Sequence, residues 1–484
     1  MVSQHIEKVY MRATQAAADW RKKSVKERTF FLPVLKELIV QRQDEISSQI
    51  IKESGKVPVD VLINGILPVL EIISYYEKRA VTILKTEKRS APFPLFYRNK
   101  AWLEYAPMGT VLVIAPWNYP FQLAIIPVIS ALLAGNAVVL KSSELTPISG
   151  QLIKGLLNDC NLPKDLFQLV EGGSDIGKEL INAGPDKIFF TGSVEVGKEI
   201  MAQAAGNLIP LDLELGGKDP MLVFADADLE RAVEAALYGA FINSGQFCVS
   251  IERLYLQEEI YQVFLERLKN KVKKLRPGIE LGKIINQEQM DKINELIDKA
   301  IQQGATLETE YIKKDLYLSP VILSGCNHKM EIMQQEIFGP VLTVIPFESE
   351  EDALRLANDS KFGLNASVWT SDLERGKGII SSLETGNCYL NGVLKNVGNP
   401  DLPFGGIKES GIGRYHGSAG LKTFCQEKAV MHNKNKGHEF YWFPFADSLK
   451  ESIKSLIELR YSSQTLKARL SKYLKLFRTF LEKK

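Results

Sequence analysis

Two side chains capable of joint chemistry stand 34 positions apart in the stretch 214–250, a carboxylate at Glu214 and a thiol at Cys248. Glycines accompany both. Glu-Leu-Gly-Gly-Lys-Asp-Pro begins at Glu214 and Gly-Gln-Phe-Cys-Val-Ser begins at Gly245, so the backbone can approach a ligand closely at each. A thiol reacts as its thiolate and needs a polarising neighbourhood with a base in reach. Glu214 and Cys248 answer to base and nucleophile. The alternative is structural, because a free cysteine commonly packs as a small buried hydrophobe and a glutamate before a turn is commonly solvated. What else the chain places around them decides between the two.

Further polar residues fall at the ends of apolar runs. Residues 109–115 are largely apolar and end in Pro116, Trp117, Asn118, Tyr119 and Pro120. Parallel strands buried on both faces give such runs, and ligands gather beyond their carboxyl ends, where the Asn118 amide could donate to a substrate oxygen. An asparagine holding a proline-rich turn is the alternative. The run 137–140 leads into Lys141, Ser142, Ser143 and Glu144, placed to meet ribose hydroxyls or, more plainly, solvent. The run 187–190 leads into Thr191, Gly192 and Ser193, which open a helix whose free N–H groups can receive a phosphate. No Gly-x-Gly-x-x-Gly fingerprint occurs there, so a plain strand-to-helix turn stays open. Glu336 and Phe338 stand two apart, on one face if extended, before another apolar run. They could bracket a sugar and a flat ring, or be a core phenylalanine beside an incidental acid.

The elements that must position these residues alternate. Residues 1–87 read as mainly helical, with Leu35, Leu38, Ile39, Ile46 and Ile50 at helical spacing and Gly55 and Pro58 as interruptions. Strands are expected at 101–105, 109–115, 137–140, 167–170, 187–190, 221–224 and 252–256, with helices at 228–244 and 260–273, giving two α/β layers. Residues 121–140 form the most membrane-like run, but Gln122, Pro127, Gly135 and Asn136 break it into a buried helix, a turn and a strand. The segment 402–417 carries five glycines in sixteen residues and is expected to wrap another surface at the mouth of a pocket.

With 484 residues, a net charge of +2 and 24% charged residues, the chain has room for two or three domains and no electrostatic footprint for nucleic acid. Five widely spaced cysteines without a Cys-x-x-Cys pair argue against disulfides and zinc and for a reducing compartment. Five histidines show no ligand spacing, so no metal is expected. The first thirty residues lack the apolar core of a signal peptide. From Leu449 onward ten Lys or Arg face three Glu, a local net of +7, and Leu466, Leu470, Tyr473, Leu474, Phe477 and Leu481 share one helical face. Such a helix suits an anionic membrane surface, or equally a dock on its own protein or a dimer partner.

Taken in order, Pro-Trp-Asn, Lys-Ser-Ser-Glu, Phe-Thr-Gly-Ser, Glu-Leu-Gly-Gly-Lys, Gly-Gln-Phe-Cys, Glu-Ile-Phe-Gly-Pro and Leu-Pro-Phe-Gly-Gly resemble the NAD(P)-dependent aldehyde dehydrogenase superfamily over roughly residues 10–430. The layout, with Tyr415-His416-Gly417 and the amphipathic tail, is most similar to its class 3 branch, which acts on fatty and aromatic aldehydes. The stretches 249–255 and 407–411 look more like other branches. The resemblance implies an α/β fold with a Rossmann-type cofactor domain at 1–212, bridging strands near 90–108, a catalytic domain at 213–415, an oligomerisation segment at 416–435 and the basic tail at 436–484. It implies Cys248 as nucleophile, Asn118 as oxyanion donor and Glu214 as general base. Trp117, Lys141, Glu144, Gly192, Ser193, Leu215, Glu336 and Phe338 would contact NAD, with NADP left open because Ser142 stands where many relatives have proline. The substrate would be a medium or long, isoprenoid or aromatic aldehyde, the assembly a homodimer, and the location the cytoplasm with peripheral membrane contact through the tail. The rivals are a CoA-acylating relative, against which Glu214 argues, a catalytically silent membrane-bound relative, and a cysteine hydrolase.

Overall fold

A computed structural model describes residues 2–92, 96, 99–434, 439, 441–445 and 447–461. The chain divides into two compact units, Met1–Thr86 with Glu104–Lys428, and Glu87–Leu103 with Ala429–Lys484.

The first unit opens on helices, Val2–Trp20, Phe31–Gln41, Gln43–Ser54 and Leu67–Ile83 among them. Leu35, Ile39, Ile46 and Ile50 are all buried, as their spacing predicts. Gly55, at φ +69°, ends the third of these helices, and Pro58 starts the next turn. Pro58–Ile83 is the one described helical run long and apolar enough to cross a membrane. Its Val69, Ile72, Ile73, Tyr76 and Ala80 are instead built into the main core. Residues 121–140 resolve as expected into a buried helix, Gln122–Ala134, a left-handed Gly135 and the strand Ala137–Lys141.

Two sheets follow. The first runs Gly411–Ile412, Leu211–Glu214, Lys187–Thr191, Thr110–Ile114, Ala137–Lys141, Phe167–Leu169. Its five longer partners are parallel, and Gly411–Ile412 pairs antiparallel with Leu211–Glu214 at the edge. In chain order the parallel strands stand 5-4-1-2-3, a doubly wound arrangement. The order reverses between Thr110–Ile114 and Lys187–Thr191, which opens a crevice beyond their carboxyl ends. Asn118 and Ser193 both belong to the loops there. The second sheet runs Thr306–Leu307, Val321–Ser324, Val341–Phe347, Ile251–Gln257, Asp219–Val223, Asn365–Trp369, Asn387–Leu390. In it Asp219 pairs with Ile251 on parallel neighbours, so the loop that follows Glu214 and the loop that carries Cys248 enter adjacent strands side by side.

The expected helix 228–244 is shorter than its composition suggests. It spans Leu229–Phe241, capped by the Asp228 carboxylate on the Arg231 N–H at 3.1 Å. Asn243, Ser244 and Gly245 then take left-handed φ values of 50°, 52° and 69°. The chain must turn out of the helix to deliver Cys248, and at Gly245 a Cβ would lie 1.9 Å from the Gly339 carbonyl oxygen.

The strands Glu87–Arg89, Asn99–Pro107 and Cys425–Asn433 form a three-stranded sheet, with Glu87 opposite Leu103 in antiparallel register. The helix Leu449–Tyr461 follows. Tyr441, Trp442, Phe443 and Phe445 before it are exposed. The apolar face from Leu466 to Leu481 lies outside the described residues.

Candidate active site

A cavity of about 420 Å³ in the first unit gathers most of the candidate residues. Asn118, Glu214 and Cys248 line it, together with Trp117, Gly192, Ser193, Leu215, Glu336 and Phe338. Lys141 and Glu144 do not. They form an ion pair of 2.8 Å at the carboxyl end of the neighbouring strand, Lys141 buried and Glu144 half exposed.

The nucleophile loop is fixed from within. The buried Gln246 side chain accepts from the Ile285 N–H at 2.9 Å and donates to the carbonyls of Asn243 and Lys283, while its own carbonyl accepts from Asn243 Nδ2 at 2.8 Å and Asn118 Nδ2 at 3.3 Å. The amide of Asn118 is thereby held beside the Cys248 loop. Gly217 completes the approach, because a Cβ there would lie 2.4 Å from the Cys248 carbonyl oxygen. Gln246 and Gly217 belong to motifs already visible in the sequence, but only the fold gives them these tasks.

Charge at the site is unusual. Both carboxylate oxygens of Glu214 are buried without a hydrogen-bond partner. Burial, and then the charge of Asp212 on the same strand, raise its pKa well above the usual carboxylate range, with Arg414 opposing. Glu336 accepts a 2.9 Å hydrogen bond from the Gly217 N–H, and burial lifts it to about 8. The half-buried Cys248 thiol is pushed well up by desolvation first and by Glu336, Asp219 and Glu214 after it. A partner-free carboxyl and a thiol facing one cavity are the makings of a base and a nucleophile.

Around the crevice, Ser193 caps the helix Val194–Ala205, accepting from the Val196 N–H, and Leu215 packs where Gly197 leaves room. Phe338 takes a left-handed φ of 53° and meets the Trp117 ring edge-on at 5.3 Å. Phe404 and Tyr415 also line the cavity, so the glycine-rich segment 402–417 reaches the pocket as expected. It also supplies the strand beside Glu214.

Sequence reasoning missed a second constellation. Tyr119 packs its ring against Phe247 at 4.6 Å, tilted by 51°, donates to Asp60 at 3.0 Å, and has the Lys56 ammonium 3.5 Å from its ring centre. Asp60 and Lys56 are buried and paired at 2.7 Å. Asp60 lines a further cavity of about 350 Å³ with Val57, Ile63, Leu237, Phe241 and Ile242. No local signal in Glu-Ser-Gly-Lys (53–56) points to it.

The family model described as the aldehyde dehydrogenase family matches residues 2–430. A 4,4'-diapolycopene aldehyde oxidase from Methylomonas is 43% identical over 95% of this chain and 88% of its own length. A human 4-trimethylaminobutyraldehyde dehydrogenase is 33% identical over 85% of each chain. Among solved structures, a betaine aldehyde dehydrogenase from Staphylococcus aureus in complex with NAD+ superposes with a TM-score of 0.85 at 30% identity, covering 91% of this chain and 89% of that one. With a match from end to end of the first unit and a shared fold, the chain belongs to the aldehyde dehydrogenase family and is an oxidoreductase acting on the aldehyde group.

Proposed function

We propose that this protein oxidises a medium- to long-chain apolar aldehyde, isoprenoid or aromatic in character, to its carboxylic acid with NAD. One observation carries the reading: the unpartnered Glu214 carboxyl and the Cys248 thiol face one cavity, with the Asn118 amide beside them. Cys248 loses its proton to solvent and attacks the aldehyde carbon through Sγ as the thiolate, and the oxyanion of the thiohemiacetal is met by Asn118 Nδ2 and the Cys248 N–H. When bound, NAD supplies the acceptor for the hydride that leaves this carbon. Glu214 then takes a proton from water, whose oxygen attacks the thioester; the C–S bond breaks, and the acid leaves.

The residues fit that cofactor. The crevice lies at a reversal of strand order, in a Rossmann-type arrangement, and the helix Val194–Ala205 turns its N-terminus to it. Gly192 and Ser193 would meet the pyrophosphate, Glu336 the nicotinamide ribose, and Trp117, Leu215 and Phe338 the rings. Lys141 and Glu144 would meet the adenosine ribose, where the acidic Glu144 favours a free 2′-hydroxyl over a 2′-phosphate. The apolar cavity beyond Tyr119 and Asp60 supports an apolar chain on the substrate side. NADH formation against NADPH formation, over aldehydes of rising chain length that include an apocarotenal, tests the reading; best turnover with short polar aldehydes would overturn the substrate class.

The assignments of 1–212 to the cofactor and 213–415 to catalysis, and of the bridging strands to a homodimer, belong to the same proposal. Five free cysteines support a reducing cytoplasmic setting. Exposed Tyr441, Trp442, Phe443 and Phe445 ahead of the basic tail support peripheral contact with anionic lipid.

A further inference from the structure

We propose that Glu252, paired with Lys218, is a positioning residue that anchors the segment 336–338 to the site. Its carboxylate is buried. Oε1 accepts from the N–H groups of Ile337 and Phe338, each at 3.0 Å. Oε2 accepts from Ile337 N–H at 3.0 Å and from the buried Lys218 ammonium at 2.6 Å.

The placement is economical in sequence terms. Lys218 follows Glu214 by four residues and Glu252 follows Cys248 by four, so the 34-residue interval that separates base from nucleophile also separates this pair. The two residues lie where the parallel strands Asp219–Val223 and Ile251–Gln257 begin. One ion pair thus joins the segment of the base, the segment of the nucleophile and the segment 336–338. The third is where anchoring matters most. Phe338 is a bulky residue in the left-handed region, which persists only when the surroundings hold it. Glu336 reaches back from the same turn to the Gly217 N–H. A pair serving stability alone is replaceable by apolar residues of similar size, often at no cost. Two backbone N–H groups that end on its carboxylate are not replaceable in that way.

The proposal rests on reading Glu336 and Phe338 as cofactor contacts, and its test separates the two. The double variant K218M/E252L carries neither buried charge nor acceptor, whereas K218M/E252Q removes the charge and keeps a carbonyl for the two N–H groups. Hydrogen exchange at Ile337 and Phe338 reports the anchor without any cofactor; quenching of tryptophan fluorescence by NAD reports its consequence, and a thermal melt reports the fold. For K218M/E252L, exchange at both amides is expected to quicken and the NAD Kd to rise, each roughly tenfold, as for a lost hydrogen bond to a charged group. K218M/E252Q is expected to stay near the wild-type values on both. Retained protection in K218M/E252L, or equal loss in both double variants, overturns the proposal. If K218M/E252L does not fold, E252D, whose acceptor is withdrawn by one methylene, takes its place with the same expectation. A wild-type NAD Kd in F338A would sink the cofactor reading of this segment instead, because the exchange result stands without it.

Discussion

Glu214 shows how much stability this site gives up for reactivity. A buried carboxyl whose oxygens lack partners is costly to ionise, and its raised pKa is the measure of that. The folded state holds this proton more tightly than the unfolded chain, so the associated stability is present at low pH. It is lost as pH climbs from the ordinary carboxyl value of 4.5 through the raised pKa. Glu336, lifted from 4.5 to about 8, acts in the same direction over that window. E214Q is therefore expected to melt higher than wild type, by an increment that grows from pH 5 toward pH 8, roughly 1–2 kcal/mol in all. The same variant should release about one equivalent of NADH and then stall at the thioester, which a stopped-flow burst would reveal. Continued turnover would remove Glu214 from the role of base. C248A should form no NADH at all, while N118A should lower kcat roughly 100-fold with little change in KM, as expected when one oxyanion donor is removed. Since a protonated Glu214 cannot take a proton, kcat should rise with pH until its raised pKa is passed.

At the scale of elements, the site depends on close approaches between chain segments. At Gly245 the backbone is left-handed, and a Cβ would collide with the Gly339 carbonyl. G245A is expected to lower stability by roughly 2 kcal/mol or more, from strain and overpacking together, and to slow alkylation of Cys248 by iodoacetamide. Wild-type melting and alkylation would show that the turn adapts. The helix before that turn was expected from the sequence, over 228–244. Its early stop was not. The stop comes from the strand it must feed and the carbonyl it must pass, both distant in sequence.

The molecule as a whole divides into a larger unit that holds the cavity and a smaller unit that ends in the basic tail. Truncation after Phe445 is expected to leave aldehyde oxidation in solution intact and to reduce co-sedimentation with phosphatidylserine vesicles; equal sedimentation of both forms would dispose of the membrane reading. Much was present in the linear chain. Motif order along the sequence, strand-end placement of Asn118, Lys141 and Ser193, and the split of residues 121–140 into helix, turn and strand all follow from local pattern. Apolar periodicity and glycine act within a few residues, so a sequence can display them. Strand order, the Glu252 anchor on Ile337 and Phe338, the contact of Tyr119 with Phe247 and the unpartnered state of Glu214 do not. They arise only when segments tens to hundreds of residues apart come within hydrogen-bond distance, because burial and pairing are properties of the packed neighbourhood.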